Sequence, residues 1–259
     1  MRAAPAALAV LLAAPALAGD GVTPLPEVAV RLKAAHYAPA DPEFRWTTWI
    51  GAGVGVLRAA RATVYFTADL ETIIGDEKRT FDANQANYHL EAGARRRIGG
   101  LELALAFHHV SRHYVDRPKQ QAVDWNVLGA RASFATRGAL PARVTLGLGR
   151  ATLASLVGYR WEAAARLEVD LLTRAAYRLY AMADLRGVTV DEDPAFPRGD
   201  FLDVWLEAGV RVPREGRAFD AFAAFERRND VRLEEPGARA RLLIGVRFGL
   251  LTGSDDPPR

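Results

Sequence analysis

Short runs in which apolar and polar side chains alternate recur along nearly the whole chain, and this restricts the fold more than any other feature. In a strand, successive side chains point to opposite faces, so a strict alternation marks a sheet with one greasy and one polar side. The clearest run sets Tyr159, Trp161, Ala163, Ala165, Leu167, Val169 and Leu171 against Arg160, Glu162, Arg166, Glu168 and Asp170. Earlier runs put Val28, Val30, Leu32 and Ala34 opposite Arg31 and Lys33, and Val64, Phe66, Ala68 and Leu70 opposite Thr63, Tyr65, Thr67, Asp69 and Glu71. Roughly twelve runs of about ten residues are present, the length a tilted strand needs to cross a bilayer.

A soluble sandwich also alternates, so the connections carry the distinction. They are tight and long in turn. Tight ones fall at 59–60, 98–100, 138–141, 172–173 and 215–216, and longer polar ones at 74–84, 115–121, 190–200 and 229–237. Transmembrane barrels have short periplasmic turns and longer outer loops. Counting the run at Val28 as the first strand puts every long loop on one side. The expected fold is all-β: a transmembrane antiparallel β-barrel of about twelve strands in the bacterial outer membrane, of Gram-negative type.

Residues 1–18 carry Arg2, an Ala/Leu/Val run and a closing Ala16-Leu17-Ala18, the layout of a secretory signal cleaved before Gly19. The expected boundaries are a signal peptide at 1–18, a barrel at 19–251 opening with a short leader to Glu27, and a polar tail at 252–259. Barrels of this type commonly end on an aromatic residue, whereas here Phe248 is followed by that tail. The chain has no cysteine, so no disulfide framework is available, and a closed sheet needs none. The formal charge is +3 with arginines scattered at strand spacing, which argues against a nucleic-acid surface. The inward Arg, Glu and Asp rows read as a salt-bridged filling of a narrow lumen, and Tyr159, Trp161 and Tyr177 as an interfacial girdle.

One run departs from the pattern. In 101–114, Leu101, Leu103, Leu105 and Phe107 make an oily stripe that continues on the same face as His109, Ser111 and His113. His108 and Arg112 have the opposite parity and point to the lumen. On the next run the outward face includes Asn126 and Asp124, and hairpin symmetry favours His109 opposite Asn126 with Ser111 opposite Asp124. A slip of two residues would set Ser111 opposite Asn126. A hydroxyl, an imidazole two residues away and a cross-strand amide or carboxylate are the nucleophile, base and orienting group of acyl transfer. In this reading His109 takes the proton of Ser111, and Asn126 or Asp124 holds the imidazole. Two alternatives use the same residues: a polar rim facing lipid headgroups, and a metal site from His109, His113 and Asp116.

His109-Val-Ser111 followed by Trp125-Asn126 resembles the motif of outer-membrane phospholipase A, a twelve-stranded barrel with an exterior Ser-His-Asn site. The same pair with an acid on the following strand is similar to lipid A 3-O-deacylase, with Asp124 in place of glutamate. Both families carry Asn directly after the serine, where this chain has Arg112. The string His109-x-Ser111-x-His113-x-x-Asp116 also resembles a family of bacterial barrels without assigned function. The resemblances imply an acyl-ester hydrolase acting on phospholipid or lipid A, so that membrane lipid or lipopolysaccharide is the expected partner. The phospholipase resemblance further brings calcium and a homodimer into consideration. The competing class is a non-catalytic barrel, a small-solute channel or a structural protein.

Overall fold

The computed structural model describes residues 21–115, 123–191, 198–229 and 237–252. They form twelve antiparallel strands: β1 (Thr23–Ala38), β2 (Trp46–Ala59), β3 (Ala62–Gly75), β4 (Asp82–Ile98), β5 (Leu101–Tyr114), β6 (Val123–Ala135), β7 (Ala142–Ala154), β8 (Gly158–Thr173), β9 (Arg178–Asp191), β10 (Phe201–Arg214), β11 (Arg217–Arg228) and β12 (Arg239–Thr252). Each pairs with its sequence neighbours, and β1 pairs with β12 from Val28↔Thr252 to Ala38↔Leu242, closing the ring. Closure leaves no sheet edge with unpaired backbone groups, which a strand structure in hydrocarbon requires.

The exterior is the apolar face of each run. Leu32, Ile50, Phe66, Leu90, Phe107, Leu148, Leu167, Leu206 and Ile244 are all exposed there. One end carries the connections 60–61, 99–100, 136–141, 174–177 and 215–216, together with Thr23 and Thr252. The other carries the connections 39–45, 76–81 and the short 155–157, and there the chain leaves the described residues after Val115, Asp191 and Asn229. We call these the turn end and the loop end.

Several expectations shift locally. β1 starts at Thr23, so part of the expected leader pairs with β2, with a bulge between Pro24 and Glu27. β8 runs through Thr173, which moves the following turn to 174–177. β12 keeps Thr252, leaving the tail at 253–259, outside the described residues like the signal segment. Tyr159 is not part of an outward girdle. A bulge between Tyr159 and Trp161 shifts the parity, so Tyr159 is buried in the lumen against Trp125 at 4.7 Å, while Trp161 stays outside.

Inside, the loop half holds two apolar clusters on opposite walls. One centres on Tyr37, Phe44, Ile73, Phe222 and Leu243, the other on Val110, Trp125, Val157, Tyr159 and Val188. Ion pairs line the space between and below them, around a cavity of about 580 Å³. Arg228 reaches Glu71 at 2.6 and 2.8 Å, and Asn87 donates to the same carboxylate at 2.7 Å. Arg186 bridges Glu162 and Asp203, Arg211 bridges Glu168 and Asp220, and Arg247 reaches Glu207. Lys33 sits between the rings of Trp49 and Trp205 at 4.9 and 4.7 Å. Toward the turn end the lumen widens into a cavity of about 830 Å³ whose lining includes Arg58, Arg95, Arg97 and Arg143. Inward glycines make room for neighbouring aromatics. A Cβ on Gly93 would lie 2.8 Å from the Tyr65 hydroxyl, and one on Gly209 would lie 2.9 Å from that of Tyr180.

The Glu71–Arg228 pair spans the lumen and is nearly dry on the carboxylate side. Glu71→Gln should therefore destabilise the refolded barrel by about 3 kcal/mol, because it leaves a largely buried guanidinium without its hydrogen-bonded anion. Replacing both partners, Glu71→Leu with Arg228→Met, should cost less than that single change. Urea unfolding in lipid vesicles measures both.

Candidate active site on the lipid-facing wall

The site is built by β4, β5 and β6. Along β5 the buried side chains are Ala106, Val110 and Arg112, and Phe107 is exposed, so even positions face the lumen and odd positions face out. His109, Ser111 and His113 are therefore on the exterior, partly buried by their neighbours. Arg112 points inward and donates to Gln85 at 3.4 Å. His108 is also in the lumen, stacked on His89 at 5.9 Å.

The β5–β6 register sets His109 opposite Asn126 and Ser111 opposite Asp124, the first of the two expected registers. Directly opposed residues have Cβ atoms about 5 Å apart, within side-chain reach. His109 Nδ1 lies 2.7 Å from Asn126 Oδ1. Ser111 Oγ lies 2.6 Å from His113 Nε2. Thus the structure joins His109 to Asn126 and Ser111 to the other imidazole. Among the described residues Ser111 makes no hydrogen bond to His109. Both histidines stand two residues from the serine on one face.

Asn126 Oδ1 can only accept, so the bond between them is donated by His109 Nδ1–H. Asp124 faces the same surface, and its carboxylate makes no hydrogen bond or ion pair among the described residues. The backbone here is pinned from the loop side. Ser155 N donates to Asp124 O at 2.8 Å, and β7 carries a bulge opposite Asn126 and Val127, whose partners are Leu153 and Ala151 with Thr152 as the extra residue. That bulge resets the parity of β7, so that the exposed Leu153 shares the outward face of Asn126.

β4 contributes a residue that the sequence reading did not single out. Tyr88 is opposite Ser111 on the other side, and its ring meets His113 edge-on at 5.7 Å. Its outward parity was readable, but its place beside Ser111 depends on the β4–β5 register. Asp116, a secondary candidate and the third member of the metal alternative, lies outside the described residues. Among the described residues no group of three or more His, Asp or Glu is arranged to hold a metal ion.

No protein-family model matches the chain, and no curated protein matches it. Solved structures with a similar backbone are outer-membrane β-barrels. Outer membrane phospholipase A from Escherichia coli aligns at 11% identity with a TM-score of 0.51, over 86% of this chain and 92% of that one. LpxR from Salmonella typhimurium aligns at 8% identity and a TM-score of 0.51, over 86% of this chain and 99% of that one. The Salmonella typhi outer membrane phospholipase dimer with bound calcium aligns at 10% and 0.50, over 94% and 96%. At these identities the likeness is one of fold: this chain has the bacterial outer-membrane β-barrel architecture.

The His109–Asn126 contact sets a tautomer that can be read directly. Nitrogen-15 correlation spectra of histidine-labelled protein should show His109 protonated at Nδ1, and Asn126→Leu should shift that signal toward the Nε2–H form.

Proposed function

We propose that this outer-membrane barrel hydrolyses acyl esters of phospholipid or lipid A at a lipid-facing site, with Ser111 as nucleophile. The observation that carries the reading is the 2.6 Å contact of Ser111 Oγ with an imidazole, beside a second imidazole held by an amide, on the wall that faces the acyl chains. Polar groups on that wall are of use to a substrate that is itself part of the membrane. Ester bonds of membrane lipids lie just beneath the headgroups, so the bond can reach the serine without leaving the bilayer.

In this mechanism Ser111 Oγ attacks the acyl carbonyl as its proton passes to His113 Nε2. The tetrahedral intermediate collapses, the leaving alcohol takes that proton, and the acyl group stays on Ser111. Water, deprotonated by the same imidazole, then releases the fatty acid. His109 and Asn126 stand on the adjoining wall beside that base. Asp124, opposite Ser111, is the carboxylate available to orient a charged imidazole. The substrate likeness to the phospholipase is a premise of this reading, and a homodimer is the assembly to test by cross-linking in detergent.

The solute-channel alternative is the weaker one. Its passage would run through the loop half of the lumen, where two apolar clusters and the Glu71–Arg228 pair stand.

Refolded protein in mixed detergent–phospholipid micelles should release fatty acid, and Ser111→Ala should remove that activity. His113→Asn should lower the rate by about 10²-fold or more, the usual contribution of a general base, and His109→Asn should lower it less. A correctly folded wild-type barrel that releases no fatty acid from phospholipid or lipid A would end the enzyme reading.

A further inference from the structure

Arg150 lies on the lipid-facing wall two strands from Ser111. On β7 the buried Gly149 faces the lumen, where a Cβ would meet the Val127 side chain at 2.4 Å, so Arg150 faces out between the exposed Leu148 and Leu153. The register places it between Leu128 of β6 and Trp161 of β8. Its guanidinium lies 5.7 Å from the centre of the exposed Trp161 ring. Among the described residues no carboxylate pairs with it.

A cation on the lipid face of a barrel is costly at mid-bilayer, and the cost falls steeply toward the headgroups. Tryptophan prefers the same interface. An outward arginine backed by tryptophan and lacking a protein anion therefore needs its counter-charge from the lipid. Phosphate is the matching group, since guanidinium binds it through paired N–H donors.

The placement relative to Ser111 is suited to a single lipid. His109 is opposite Asn126, and the next outward row runs Phe107, Leu128, Arg150, Trp161. With strands about 4.8 Å apart and a rise of about 3.4 Å per residue, the Arg150 and Ser111 Cα atoms are about 17 Å apart. An extended Arg150 side chain reaching toward Ser111 along the wall narrows that gap toward the separation of a lipid's phosphate from its ester carbonyl.

We propose that Arg150, stacked on Trp161, is a phosphate-binding subsite that selects phosphate-bearing lipids and positions their ester at Ser111. This rests on the hydrolase reading for its consequence in catalysis, and on the exterior geometry alone for binding.

Two readouts separate those premises. In the first, hydrolysis is compared on phosphatidylglycerol, on lipid A and on diacylglycerol, which keeps the esters without the phosphate. Wild type should prefer a phosphate-bearing lipid by about tenfold or more, the scale of a charge-assisted contact. Arg150→Gln should bring that ratio close to one, mainly through KM. Arg150→Lys should restore part of it, and Arg137→Gln on a turn-end connection should leave it in place. The arm with the larger ratio identifies the source as glycerophospholipid or lipid A. In the second, lipid retention is counted by native mass spectrometry on Ser111→Ala protein with and without Arg150→Gln, using the same three lipids. Selective loss of the phosphate-bearing lipids supports the subsite even if no hydrolysis is found. Equal retention of all three lipids by both proteins, or an unchanged preference ratio in Arg150→Gln, overturns it.

Discussion

Closure of the sheet by β1 and β12 is the constraint from which the remaining features follow. In hydrocarbon, an unpaired N–H or C=O has no water to bond, so a strand structure is viable there only as a ring. Once the ring is closed, parity is no longer a local preference. Every residue is assigned to lumen or lipid by its distance in sequence from its neighbours, and a slip by one residue would turn a whole strand inside out. The bulges in β2, β7 and β8 are where the chain resets that count. One of them moves Tyr159 into the lumen while leaving Trp161 at the interface, and the one in β7 turns Leu153 to the lipid face beside Asn126.

The lumen makes the ring rigid by joining strands that are not neighbours. Arg31 of β1 reaches Asp69 of β3, Arg131 of β6 reaches Glu91 of β4, and Arg211 of β10 reaches Glu168 of β8. Glu71 and Arg228 come from β3 and β11, across the barrel. A paired charge in such a space is tolerable because each acid is answered by a guanidinium with fixed geometry. The exterior benefits indirectly. A wall braced from behind holds its outward side chains in a constant relation, which a surface cluster on a single flexible strand would lack.

Much of this was legible from residue order, and the parts that were not share a cause. Alternation gave strand number, and the tight and long connections gave the end at which the chain begins and stops. The Ser111–Asp124 and His109–Asn126 pairings followed from placing β5 and β6 symmetrically about their loop, because hairpin register is a counting problem. Three things were beyond counting. The Pro24/Glu27 bulge let β1 start earlier than its apolar pattern shows, since the residues there do not alternate. Tyr159 looked outward because a bulge leaves no mark in the alternation of β8 on its far side. The partner of Ser111 is set by side-chain rotamers, and His109 and His113 are equivalent by parity, so sequence spacing cannot choose between them.

The exterior cluster has its own internal logic. Polar groups near hydrocarbon must be satisfied by one another, and here they are taken in pairs: His109 with Asn126, His113 with Ser111. His109 is not hydrogen-bonded to a carboxylate among the described residues. A neutral amide partner avoids burying an ion pair against lipid, yet for His109 it still fixes which ring nitrogen donates. Tyr88 adds an aromatic edge to His113 without adding charge. On the hydrolase reading proposed above, the 2.6 Å contact of Ser111 Oγ with His113 Nε2 is the one through which the serine proton would leave, while the His109–Asn126 pair stands beside it on the same face.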